Sequence, residues 1–157
     1  MKINISGLSE GIYRYDLLKS ADELGLGPNF IGDLLSNITL EKSIHQIVAT
    51  VSASVKGVFI CDRCANEFTE VVKTKFTSVY TWDQPEETEQ DDDFHILGKD
   101  DHLIDFSSSV KEYILLSVPL KLLCKNNCVI PVEIEVKQET MDPRWQKLQT
   151  LIQSEKN

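Results

Sequence analysis

Two long stretches of alternating apolar and polar residues lie on either side of a cysteine pair, and they constrain the fold more than any other feature. In residues 43–60 apolar side chains recur at alternate positions, and in residues 68–82 the large apolar side chains fall on one side, as in a strand with one buried face. The chain between them includes CDRC, with Cys61 and Cys64. The sequence therefore predicts a long antiparallel hairpin with two cysteines at its turn and a bulge at Gly57. The apolar positions on one side are Ala49, Val51, Ala53, Val55, Val72, Phe76, Tyr80 and Trp82.

Shorter patterns predict the remaining elements. KINISGL is typical of a first strand, GIYRYDL of a strand that continues or pairs with it, and LIDF of a further short strand. SSSVKEYILLSVP has the period of a helix, with Ser109 and Glu112 as a capping box. DPRWQKLQTLIQ predicts a closing helix that begins after Asp142. Its inward-facing residues are Trp145, Leu148 and Leu151.

These elements together predict the fold class. The chain has 157 residues, enough for one domain with a substantial core. We expect a single α+β domain over residues 1–157, built from an antiparallel sheet, the long hairpin and two main helices. No apolar run approaches the roughly 18 residues of a membrane span, and the first residues lack the apolar core of a secretory signal. The expected location is therefore the cytoplasm, with no membrane partner.

The negative charge of the chain is concentrated in one segment. Residues 83–105 carry ten Asp or Glu and one Lys, whereas the rest of the chain is close to neutral. A segment so charged cannot bury enough apolar surface to fold alone, which predicts a flexible acidic loop at about residues 83–101. A local negative field favours basic partners, so this loop is a candidate contact for a basic protein. The candidate residues are Glu86, Glu87, Glu89, Asp91, Asp92 and Asp93.

The four cysteines form two close pairs, and several uses of them are open. A redox C-x-x-C normally begins a helix, whereas a strand follows Cys64 here. Disulfides are rare in the cytosol. Four small buried thiols remain an alternative, although charged or amide residues flank both pairs. A structural zinc site is favoured, because CDRC and CKNNC each place two sulfurs near one point and four thiolates close a tetrahedral shell. The ligands would be Cys61, Cys64, Cys124 and Cys128.

Enzymatic chemistry finds little support in the sequence. The residue orders of a zinc deaminase, H-x-E or C-x-E with P-C-x-x-C, do not occur. A site of four cysteines leaves no open coordination position for catalysis. No glycine-rich phosphate loop is present. The sequence therefore predicts a protein that is not an enzyme.

Direct RNA contact is a second candidate role for the surface. Phosphate binding needs clustered Lys or Arg. Five basic residues would converge if a metal ion joined the two cysteine segments, although ordinary solvated charge is an equally good account of them. They are Arg63, Lys73, Lys75, Lys121 and Lys125.

The order of motifs resembles the YceD family of bacterial and plastid proteins. The matching segments over about residues 48–152 are CDRCANEF, DDDF, IDFSSSVKEYILLSVPL, CKNNC and DPRWQKLQTL. The resemblance implies a role in accumulation of large-subunit ribosomal RNA, with no assigned catalysis. It also implies a large-subunit ribosomal protein or a pre-ribosomal particle as partner. We therefore expect a non-catalytic factor in ribosome biogenesis, the alternative being a zinc-stabilised protein-binding module unrelated to ribosomes.

Overall fold

The computed structural model describes residues 1–82, 93–98, 100–125 and 128–129. Its strands and its helix are, in chain order, β1 (Lys2–Asn4), β2 (Gly11–Ser20), β3 (Phe30–Lys42), β4 (Gln46–Ile60), β5 (Glu67–Thr81), β6 (Phe94–Ile96), β7 (Leu103–Asp105) and α1 (Ser107–Leu116). Five strands form one sheet in the order β2-β3-β4-β5-β6, and β1 pairs with β7 in a separate two-stranded sheet. Within these residues, no helix is long and apolar enough to cross a membrane.

The predicted hairpin is confirmed. Strands β4 and β5 pair antiparallel without interruption, from Gln46 opposite Thr81 to Ile60 opposite Glu67. The predicted bulge at Gly57 is wrong, because Gly57 pairs in register with Glu70. The Phe59 ring packs against the backbone of Gly57, and a Cβ atom at this position would lie 2.5 Å from that ring. Glycine is therefore the residue that fits there.

The predicted α+β class with two main helices is wrong for the part of the chain that the structure describes. Strands account for 53% of these residues and helix for 9%, and α1 is the one helix among them. The physical reason is that β2 and β3 pair along ten residues and extend the hairpin into a wide sheet. The first strand pairs with β7 and not with the GIYRYDL segment. The predicted closing helix, with Trp145, Leu148 and Leu151, lies outside the described residues.

The core lies on one face of the five-stranded sheet. Apolar side chains from alternate positions of β3, β4 and β5 pack there against β1, β7, α1 and the turn at residues 21–26. Helix α1 contributes Val110 and Ile114, both fully buried. The other face of the sheet has no covering element among the residues described, and its side chains remain accessible.

Helix α1 begins two residues earlier than the predicted capping box at Ser109 and Glu112. No side chain caps Phe106, the residue before the helix. The Asp105 carboxylate instead accepts a hydrogen bond from the Ser107 N–H at 2.9 Å. It also forms an ion pair with the Met1 amino group at 3.0 Å. An acidic residue close to the amino end of a helix also favours its dipole.

We expect the acid sensitivity of the fold to depend partly on Asp105. The Ser107 hydroxyl, together with the Ser107 N–H and the Met1 ammonium, holds the pKa of Asp105 well below its usual range. The contribution of the Asp105 carboxylate to the free energy of unfolding is therefore complete above the unfolded pKa of about 3.9. This contribution is lost as the pH falls below that value toward the folded pKa. The effect should be modest because the carboxylate is 44% exposed. In urea unfolding from pH 7 to pH 2, Asp105→Asn should be less stable than wild type at pH 7 and should approach it below pH 3.9. A constant difference across this range would contradict the assignment.

The end of the predicted acidic loop belongs to the sheet. Strand β6 pairs parallel with β5, with Phe94 opposite Val79. The Asp93 carboxylate accepts a hydrogen bond from the Tyr113 hydroxyl at 2.6 Å, and the Leu97 side chain is buried. Of the six candidate acidic residues, Asp93 therefore has a structural contact. The other five, Glu86, Glu87, Glu89, Asp91 and Asp92, lie outside the described residues.

Candidate metal centre

The turn between β4 and β5 presents Cys61 and Cys64 from one tight loop. The Cys61 N–H donates to the Asn66 carbonyl, and the Ala65 N–H donates to the Cys61 carbonyl, both at 2.9 Å. Ala65 has a φ angle of 56°, the left-handed region that costs a side-chain-bearing residue about 1–2 kcal/mol. Local strain of this kind persists where the surrounding contacts enforce it, often at ligand clamps. The loop thus brings both thiols to the end of the hairpin.

The second cysteine segment is tied to this turn by Asp62. The Asp62 N–H donates to the Leu122 carbonyl at 2.8 Å, and the Asp62 carboxylate accepts from the Leu122 N–H at 2.7 Å. Two reciprocal hydrogen bonds therefore fix the chain two residues before Cys124. This contact is how cysteines some 60 residues apart in sequence meet.

The four sulfur atoms form one compact cluster. The Sγ atoms of Cys61 and Cys128 are 3.6 Å apart, those of Cys64 and Cys124 are 3.5 Å apart, and all four lie within 4.8 Å of one another. A tetrahedral ion with metal–sulfur bonds of about 2.3 Å would place its ligands about 3.8 Å apart. Cys61 and Cys64 are buried, and the other two cysteines are half-buried. The cluster can hold a metal ion of thiolate preference in a closed shell.

Backbone N–H groups favour a thiolate at one corner of the cluster. The N–H groups of Cys124, Cys64 and Arg63 lower the pKa of the Cys61 thiol to about 6, and the Cys124 N–H lies 3.4 Å from its sulfur. The opposite holds at Cys124, where the neighbouring Cys64 thiol and burial raise the pKa to about 12. Burial and the Cys61 thiol also raise the pKa of Cys128. Four touching thiols cannot all ionise beside one another, so a bound cation is what would allow four thiolates.

The predicted basic residues fall into two groups. Arg63 lies within the CDRC turn, and Lys121 and Lys125 flank Cys124. Lys73 and Lys75 are exposed on β5, and Lys73 is six residues beyond the first residue of that strand. Six residues of strand span about 20 Å, so this pair lies well away from the cysteine cluster.

The structure also shows a supporting residue that sequence reasoning missed. Because Asp is common in turns, its residue type predicted nothing more for Asp62 than a place in a turn. Its partner is a backbone N–H sixty positions away, and a backbone group leaves no signature in the sequence. The acidic residue inside a C-x-x-C was the one available signal.

We expect Asp62 to set metal affinity without binding metal itself. Asp62→Ala removes the acceptor for the Leu122 N–H, so zinc affinity should fall about 10- to 100-fold, as for other residues that orient metal ligands. Asp62→Asn keeps an acceptor oxygen and should lose far less. Competition for zinc with a chelator of known affinity measures both. Equal affinity in the wild type and the Asp62→Ala protein would show that the contact does not position the second pair.

Comparison with known proteins gives one match. A family model described as "Large ribosomal RNA subunit accumulation protein YceD" matches residues 49–152. This range includes all four cysteines, α1 and the hairpin except for the first three residues of β4. No curated protein and no solved structure matches the chain.

Proposed function

The chain belongs to the YceD family, and we propose on that basis that it is a non-catalytic factor in the accumulation of large-subunit ribosomal RNA, acting in ribosome biogenesis in the cytoplasm. The observation that carries the proposal is the family match over residues 49–152, about two thirds of the chain. The cysteine cluster supports the non-catalytic part, because four protein ligands would leave a metal ion no position for a substrate. The metal in this proposal is a single structural zinc ion.

Zinc fits the donor set better than other common ions. Four thiolates in a closed arrangement suit zinc or an iron–sulfur cluster, whereas magnesium and calcium require oxygen ligands. Sulfur separations of 3.5 and 3.6 Å are close to the edge length around one zinc ion. The ion would hold Leu122, Cys124 and Cys128 against the hairpin turn, with a structural role.

The test of this function is genetic complementation. Cells that lack the gene should show a reduced ratio of large-subunit to small-subunit ribosomal RNA, and the wild-type gene should restore it. A tagged chain should co-purify with large-subunit proteins or precursor RNA. A normal ratio in deleted cells, together with partners outside the ribosome, would instead favour a zinc-stabilised protein-binding module.

The proposed protein partner is a basic protein of the large subunit, or a pre-ribosomal particle that contains one, held by the acidic segment. The ten carboxylates in residues 83–105 support this proposal, because their field attracts basic surfaces. Asp93 is excluded from the contact set, because its carboxylate already accepts the Tyr113 hydroxyl.

We expect neutralisation of the acidic segment to weaken this binding without unfolding the chain. The variant replaces Glu86, Glu87 and Glu89 with Ser, and Asp91 and Asp92 with Asn, and leaves Asp93 unchanged. Affinity for a purified basic large-subunit protein should fall, and its dependence on salt should become shallower. Isothermal titration at two salt concentrations measures both. Unchanged affinity and unchanged salt dependence would reduce the segment to a linker.

A further inference from the structure

The accessible face of the five-stranded sheet has a distinct chemical character. A depression of about 420 Å³ lies over β4 and β5 on this face. On the accessible face its polar side chains are two serine hydroxyls, one amide and two ammonium groups, and no carboxylate of the described residues lines it. The lining residues are Asn37, Ser52, Ala53, Ser54, Lys73, Thr74 and Lys75.

Strand register explains the shape of this depression. Lys75 pairs with Ser52, and Lys73 pairs with Ser54, so each lysine stands beside a short side chain on β4. On the other side of β4, Ser52 faces Asn37 on β3. The small residues of β4 thus form a floor between longer side chains on β3 and β5. A chain laid along β4 could approach the sheet closely.

The two lysines have unmatched positive charge. Lys73 and Lys75 are two residues apart on one face of β5, about 7 Å apart along the strand. Neither forms an ion pair with a carboxylate of the described part of the chain. Asp16 shares the cross-strand row of Lys75 but lies three strands away, about 14 Å. It already accepts a hydrogen bond from Asn37. The repulsion between the lysines would be relieved by an anion bound over Ser52 and Ser54.

We propose that this depression binds the phosphate backbone of single-stranded RNA; the identity of that RNA as ribosomal rests on the proposed function. Lysine, serine and asparagine are among the side chains that commonly contact phosphate groups. No aromatic residue of the described part of the chain lines the depression, so bases do not stack there and contact is with the backbone alone. Binding is therefore independent of sequence and depends steeply on salt.

The test measures RNA affinity of the full chain, loaded with zinc, by fluorescence anisotropy. The probe is a labelled single-stranded RNA of about 20 nucleotides, longer than one typical site. A Lys73→Gln/Lys75→Gln variant should bind on the order of tenfold more weakly at 50 mM salt. The slope of log Kd against log salt should fall by about 1.4, because each phosphate contact on a single strand contributes about 0.7. A scrambled RNA should bind wild type equally well.

The matched control is Lys2→Gln/Lys111→Gln, which makes the same change in net charge on β1 and α1. It should retain wild-type affinity and slope. Equal losses in both variants would mean that only overall charge matters and would overturn the site, as would no binding of RNA by the wild type. Binding of poly-glutamate without RNA binding would assign the depression to an acidic protein instead. Different measurements test the two proposals. The level of ribosomal RNA in deleted cells tests the proposed function, and fluorescence anisotropy tests RNA binding by the depression.

Discussion

Replacing Cys61 with serine should prevent stable zinc binding and lower the free energy of unfolding by at least about 3 kcal/mol. The backbone N–H groups of Cys124, Cys64 and Arg63 favour the Cys61 thiolate, and the residue is 1% exposed. A serine hydroxyl is a poor zinc ligand and would leave a polar group buried in its place. Zinc contributes about 10–16 kcal/mol in isolated zinc-finger peptides. Here the sheet has its own core, so only the part of this free energy that holds the turn, residues 122–125 and Cys128 together should be lost.

Three measurements distinguish this loss from an ordinary core defect. Elemental analysis should find about one zinc per wild-type chain and none in the variant. Urea unfolding of the wild type in excess chelator should match that of the variant. Cys124→Ser alone should lose a similar amount, and the double variant should lose little more, because ligands of one ion are not additive. Four titratable thiols in a metal-free wild type of unchanged stability would contradict the site.

The hairpin and the cysteine cluster could be predicted because their signals are local. Residues 46–60 alternate almost without exception, so the pattern fixes which face of β4 is buried. Each cysteine pair is a short motif, and a shared ion is the simplest way to satisfy two such pairs. What joins them physically is the contact of Asp62 with the backbone N–H and carbonyl of Leu122, and a contact with backbone groups could not be read from residue types.

Strand β3 could not be predicted because its alternation is broken. The pairing with β4 shifts between Ile31 and Leu35, where Gly32 adopts a φ angle of 74°. After this irregularity a buried Leu34 stands beside an accessible Leu35, and a serine at position 36 faces the core. If β3 is left out, the predicted sheet consists of the hairpin and a few short strands, and the helices form a larger share of the predicted secondary structure. The wrong fold class follows from the missed β3, because β3 is the strand that pairs with the predicted GIYRYDL strand, β2, and joins it to the hairpin.

Phe106→Ala should be the most destabilising single change away from the cysteines, at about 3–5 kcal/mol. The side chain of Phe106 is fully buried, and its ring meets the edge of Tyr80 with centroids 5.8 Å apart. Its N–H donates to the Met1 carbonyl at 3.0 Å, and its own carbonyl accepts from the Val110 N–H at 2.9 Å. The residue therefore joins the two-stranded sheet, the first turn of α1 and the face of the large sheet, and truncation leaves a cavity where these elements meet.

Leu116→Ala is the matched control for this prediction, because Leu116 ends the same helix and is 73% exposed. Its stability should change by less than about 0.5 kcal/mol. Urea unfolding at neutral pH, with zinc present throughout, measures both variants and keeps the metal centre out of the comparison. Zinc content should stay at the wild-type value in the folded Phe106→Ala protein, because the cysteine cluster lies at the other end of β5 from the strand's contact with Phe106. A loss below about 1 kcal/mol for Phe106→Ala would mean that α1 and the β1–β7 pair do not depend on this ring for their attachment to the sheet.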